Sequence, residues 1–122
     1  MSSIKTLVLG ASDHPSRYSY LAMGRLKQAG HPVIAIGKRP AIAHGISIDT
    51  LPYTTPDIDT ITMYLNPSHQ RDYYQMILDL KPRRIIFNPG TENPDLEERA
   101  EQAGIQVIEA CTLVMLSTGQ YA

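Results

Sequence analysis

The chain is poor in several things a protein can be built from. It has one cysteine, Cys111, no tryptophan and a single phenylalanine in 122 residues. One thiol excludes an intrachain disulfide framework, and with His31, His44 and His69 scattered it gives no metal-ligand spacing. Charged residues are scarce at 19%, and the formal net charge is only -1. That balance lacks the basic excess of a duplex-binding surface, so no nucleic-acid partner is expected. No apolar run approaches the roughly 20 residues needed to cross a bilayer, so no membrane partner is expected either. The first residues, Met1-Ser2-Ser3-Ile4-Lys5, lack the basic start and long apolar stretch of a signal peptide, and a cytoplasmic location is expected.

Apolar residues are plentiful at 43%, enough for one core under one sheet, and the length fits a single domain over residues 1–122. Short β-rich runs alternate with segments of helical period. Thr6-Leu7-Val8-Leu9 stops at Gly10, and Val33-Ile34-Ala35-Ile36 stops at Gly37. Ile61 to Leu65 stops at Asn66-Pro67, and Ile85-Ile86-Phe87 at Asn88-Pro89-Gly90. Gln106-Val107-Ile108 is the last. Nearly continuous apolar runs of this kind suit parallel strands buried on both faces.

Between them, Ala22, Leu26 and Ala29 share one helix face, as do Tyr73, Ile77 and Leu80, and then Leu96, Ala100 and Ala103. Asn66 with Pro67, and Asn93 with Pro94, mark helix starts; Gly30, Pro82 and Gly104 mark ends. Cys111 to Leu116 reads as a short closing helix. From Lys38 to Asp59 no helical pattern survives: Ile46-Ser47-Ile48 alternates like an edge strand, and Thr55-Pro56-Asp57 could open one helical turn. Right-handed crossovers between parallel strands then imply an α/β, doubly wound, mostly parallel five-stranded sheet with helices on both faces, in three layers.

Such sheets bind ligands beyond the carboxyl ends of their strands. The first loop there, Gly10-Ala11-Ser12-Asp13-His14-Pro15-Ser16-Arg17-Tyr18-Ser19, has small residues that let backbone approach a phosphate, with hydroxyls on Ser12, Ser16 and Ser19. A glycine in that place also satisfies turn geometry alone, and the dinucleotide fingerprint G-x-G-x-x-G is absent. In the second loop, Gly37-Lys38-Arg39, two cations replace the carboxylate that would hold a ribose hydroxyl. They suit a phosphate on the ribose, or else form a solvated basic turn. Asn66 is a helix cap first and a ligand contact second, and the amide of Asn88 in Asn88-Pro89-Gly90 could also meet a ligand. Ser12-Asp13-His14 holds the residue types of a hydrolytic triad, but adjacency in a turn does not give triad geometry. Cys111 has two readings, a small core residue or a thiol at the cleft rim able to form a mixed disulfide with a ligand thiol.

Taken in order, Val8-Leu9-Gly10-Ala11-Ser12, Leu26 through Ala29-Gly30-His31-Pro32-Val33-Ile34, the Gly90 turn, Ala103-Gly104-Ile105 and Cys111 resemble the CoA-binding domain family. These are small Rossmann-like proteins similar to the nucleotide-binding domain of the succinyl-CoA synthetase α subunit. The resemblance implies coenzyme A, or an acyl-CoA, as the ligand, with Gly10, Ala11, Ser12 and Arg17 around its phosphates. Ser12 with Gly37, Lys38 and Arg39 would lie at its adenine-ribose end, and Asn88, Pro89, Gly90 and Cys111 along its pantetheine arm, with Asn66 a further candidate contact. The chain departs from the family pattern in three places. Gly37-Lys38 stands where Asn-Pro is usual, Asn88 where a glutamine is usual, and Thr112 where a proline usually follows the late cysteine. Three roles stay open: a CoA-binding module without chemistry of its own, an NADP-dependent oxidoreductase-like protein, or a regulatory or assembly protein with a vestigial pocket. A homodimer is among the expected partners, and dimerisation without ligand would favour the third reading.

Overall fold

The computed structural model describes residues 3–122; Met1 and Ser2, with which the N-terminal stretch read above begins, lie outside the described residues. Seven strands form one sheet in the order β3-β4-β2-β1-β5-β6-β7. They are β1 (Thr6–Ala11), β2 (Val33–Gly37), β3 (Ala41–Ala43), β4 (Ile46–Asp49), β5 (Thr60–Met63), β6 (Arg84–Phe87) and β7 (Gln106–Glu109). All neighbours pair parallel except β3 with β4. The α/β, doubly wound, Rossmann-like architecture is therefore present, with a strand count of seven rather than five. The two additions are the β3–β4 hairpin, made by the segment in which the sequence shows no helix. Ile46-Ser47-Ile48 is a strand, but β3 outside it takes the edge.

The apolar strands alternate between two cores because successive side chains point to opposite faces. On one face Leu7, Leu9, Ile61, Met63, Ile85 and Phe87 pack against Ile77, Leu80, Leu96 and Ala100. These belong to α3 (Tyr74–Leu80) and α4 (Pro94–Gln102). On the other face Val8, Ala35 and Ile86 meet Met23, Leu26 and Met115 of α1 (Tyr18–Gln28) and α5 (Thr112–Ser117). Leu26 is fully buried, so its truncation to alanine would cost about 2–5 kcal/mol.

Asparagine caps set two of the helix starts. Asn66 accepts from the His69 N–H at α2 (Pro67–Gln70), and Asn93 from the Leu96 N–H at α4. The helix expected to run from Pro67 to Pro82 is broken, with a 3-10 turn at Arg71–Tyr73 between α2 and α3. Buried Gln70 lies at that break and donates to the carbonyls of Leu65 and Thr91, tying the helix to two strand-end loops. Residues 50–59 form no helical turn. Tyr53 and Asp57 bind Lys5 and each other, pinning the segment to the start of β1.

Candidate functional site at the switch point of the sheet

The chain passes from β1 to β2 on one side and later returns to β5 on the other, so strand order reverses between β1 and β5. Helices on opposite faces leave a crevice there. The cleft found at this place holds about 530 Å³ and is lined from the ends of β1, β2, β5 and β6.

Gly10 builds its floor. Its φ of 97° is open to glycine, and an added Cβ would come within 3.0 Å of the Tyr64 and Leu65 backbone. The β1–β2 register slips between Leu9 and Ala11, which turns Ala11 and Ser12 toward the cleft. Beyond them Ser12 Oγ accepts from the His14 N–H and the Arg17 N–H donates to the His14 carbonyl, closing the loop into the start of α1. No side chain caps α1, and the N–H groups of Tyr18, Ser19 and Tyr20 have no partner among the described residues. Unsatisfied donors with the positive end of the helix dipole make a ready anion site.

Three cationic side chains line the same cleft, Arg17, Lys38 and Arg39, against one carboxylate, Asp13. Asp13 Oδ1 lies 3.5 Å from Arg39 Nη2. With Ser12 bound to the backbone of His14 and Asp13 facing Arg39, the Ser12-Asp13-His14 run makes contacts other than those of a triad.

Of the expected residues, the fold brings Gly10, Ala11, Ser12, Arg17, Lys38, Arg39, Asn66 and Pro89 together around the cleft. Gly37, Asn88, Gly90 and Cys111 are not in its lining. Gly37 is buried behind it, where an added Cβ would fall 2.4 Å from the Ala11 carbonyl oxygen. The amide of Asn88 is buried and occupied at both ends. It donates to Thr62 Oγ1 at 2.8 Å and the Met63 carbonyl at 2.9 Å, and accepts from the Thr112 N–H at 2.9 Å. Asn88 clasps β5, β6 and α5 together instead of facing the cleft. Gly90 is exposed and donates to Glu92. Cys111 is half-buried at the N-cap of α5, neither sealed in the core nor part of the cleft lining.

The lining also includes Tyr64, Leu65, His69 and Thr91, which sequence reasoning did not assign to the site. Tyr64 and Leu65 directly precede Asn66 at a strand end, a signal available in the sequence. His69 follows from the local Asn66 cap, which accepts from its N–H, and Thr91 enters through the Gln70 tie, which no local pattern reveals. Burial pushes the Tyr64 phenol up to about 12, so it stays protonated at neutral pH.

The chain matches the family model described as a CoA binding domain over residues 5–117. No curated protein matches it. Among solved structures it is similar to an uncharacterized protein at 45% identity and TM-score 0.96, over 99% of this chain and 100% of that one. A hypothetical protein from Pyrococcus horikoshii OT3 is 19% identical, with TM-score 0.86 over 95% of this chain and 83% of the other. Aspartate dehydrogenase from Thermotoga maritima is 13% identical, with TM-score 0.60 over 88% of this chain and 45% of that one, a likeness of fold alone. With the family model spanning nearly all of its length, the chain belongs to the CoA-binding domain family.

Proposed function

We propose that this protein binds coenzyme A or an acyl-CoA in the cleft at the carboxyl ends of β1, β2, β5 and β6, as a binding module without catalysis of its own. The observation that carries the reading is the uncapped start of α1 opening onto a cleft where three cations face one carboxylate. In a chain of net charge -1 that is a local excess suited to a polyanion. The diphosphate would sit on the Gly10–Ser12 backbone and the first N–H groups of α1. The phosphorylated ribose would face Lys38 and Arg39. Pro89 and Thr91 leave the far wall for the pantetheine arm. Cys111 lies outside this route, so a mixed disulfide with the ligand thiol would need movement at the start of α5.

A second reading keeps the same cleft for NADP, since Lys38 and Arg39 suit any phosphate on a ribose. Thermal unfolding separates the two. Coenzyme A at 100 times its dissociation constant should add about 2.7 kcal/mol, a shift of several degrees for this size. The shift should shrink with dephospho-CoA and with Lys38→Gln/Arg39→Gln. A shift with NADP alone would replace the coenzyme A reading, and no shift with either would remove both.

A further inference from the structure

Asp13 and Arg39 form the one ion pair among the described residues that joins two walls of the cleft. Asp13 comes from the loop between β1 and α1, and Arg39 from the loop between β2 and β3. Their side chains keep 40% and 68% exposure, and the 3.5 Å separation is long for a charge-assisted bond. The turn around Asp13 does not need its carboxylate, because Ser12 Oγ and the backbone groups of His14 and Arg17 close it.

We infer that Asp13 is the resident counter-ion of this anion site and sets its selectivity: it holds Arg39 over the cleft and yields it to a phosphate carried by the ligand. The inference rests on the phosphate-ligand reading above and adds the residue that discriminates among such ligands. A phosphate dianion offers Arg39 a bidentate partner of higher charge than a carboxylate, so it displaces Asp13. A ligand with no phosphate at that position leaves the pair intact and neither gains nor loses by it. Asp13 therefore weakens binding of the ribose-phosphorylated class alone, and its effect passes through Arg39.

Calorimetric titration of wild type, Asp13→Asn, Arg39→Gln and the double variant tests this with three ligands. Coenzyme A should bind Asp13→Asn about two- to fivefold tighter, the range that an exposed ion pair's coupling allows. Dephospho-CoA should bind both proteins equally, and in the Arg39→Gln background Asp13→Asn should change nothing. Equal tightening for both coenzymes, or tightening that persists without Arg39, would overturn the inference in favour of plain repulsion from the carboxylate. NADP, which also carries a phosphate on its ribose, separates this idea from the coenzyme A reading. If coenzyme A does not bind but NADP binds more tightly to Asp13→Asn in an Arg39-dependent way, the coenzyme A reading falls and the counter-ion stands. If coenzyme A binds and Asp13→Asn leaves its affinity unchanged, the counter-ion falls alone. If neither ligand binds, both fall.

Discussion

The imidazole of His44 lies against Gly24 so closely that a Cβ on that glycine would come within 2.6 Å of the ring. The same ring packs on Tyr20 at a 39° tilt with centroids 4.2 Å apart, and its Nε2 donates to the Tyr20 carbonyl at 2.9 Å. His44 holds a φ of 55° at the tip of the β3–β4 hairpin and so docks that hairpin on α1. A glycine inside a helix ordinarily costs about 1 kcal/mol relative to alanine. Gly24→Ala should gain almost nothing here, because the ring must leave its bond to Tyr20. In a His44→Ala background the same change should stabilise by about 1 kcal/mol. Urea unfolding of the four proteins reads this coupling directly.

Tyr64 carries the one buried side-chain polar atom left without a hydrogen-bond partner among the described residues. An unpaired buried hydroxyl lowers stability by about 1–3 kcal/mol. Tyr64→Phe should therefore raise the unfolding free energy of the ligand-free protein by about 1 kcal/mol, visible as a Tm increase of a few degrees. A fall in Tm would show that the hydroxyl is satisfied.

Asn88 fixes three elements with one side chain, and Thr62 adds a 2.8 Å bond to Thr112 within the same cluster. Asn88→Ala should cost about 2–4 kcal/mol, since the Met63 carbonyl and the Thr112 N–H would remain buried without their partner. Chemical denaturation measures the loss. Hydrogen exchange should place the first loosening at α5.

His31 accepts the Ile4 N–H on Nδ1 at 2.9 Å, which requires a neutral ring with that nitrogen unprotonated. Burial first, and then the nearby Arg84 cation, hold its pKa below the ordinary imidazole value. The unfolded chain therefore takes up this proton at higher pH than the folded one, and stability is lost as pH falls below about 6.5. The loss continues until the folded-state ring also titrates. Urea unfolding between pH 8 and pH 5 should show this slope, and His31→Gln should flatten it relative to wild type.

Much of this molecule is written locally. The apolar runs give way near Gly10, Gly37, Asn66 and Asn88, within three residues of the ends of β1, β2, β5 and β6, and those stops place the ligand loops at one end of the sheet. Asn66 and Asn93 followed by proline fix helix starts through bonds that span three residues. Lys38 and Arg39 stand out in the sequence as charge where a carboxylate would be expected, and the fold brings them to the cleft. The resemblance to the family rests on the same short signals.

What the sequence could not yield is set by contacts between residues far apart along the chain. The hairpin Ala41–Asp49 has weak local preference and forms because His44 finds Gly24 and Tyr20 on a helix twenty residues earlier. Asn88 reads as a loop amide with a free end, yet it is consumed by Thr62, Met63 and Thr112. Gly37 looks like a ligand-facing turn, whereas the Ala11 carbonyl leaves no space for a side chain. The pairing of Asp13 with Arg39 is likewise invisible in one dimension. Local sequence determines where chains turn and helices begin, because those choices depend on backbone bonds a few residues long. Which turn residues face the cleft was decided only when the sheet closed, because burial and hydrogen-bond occupancy belong to the packed molecule.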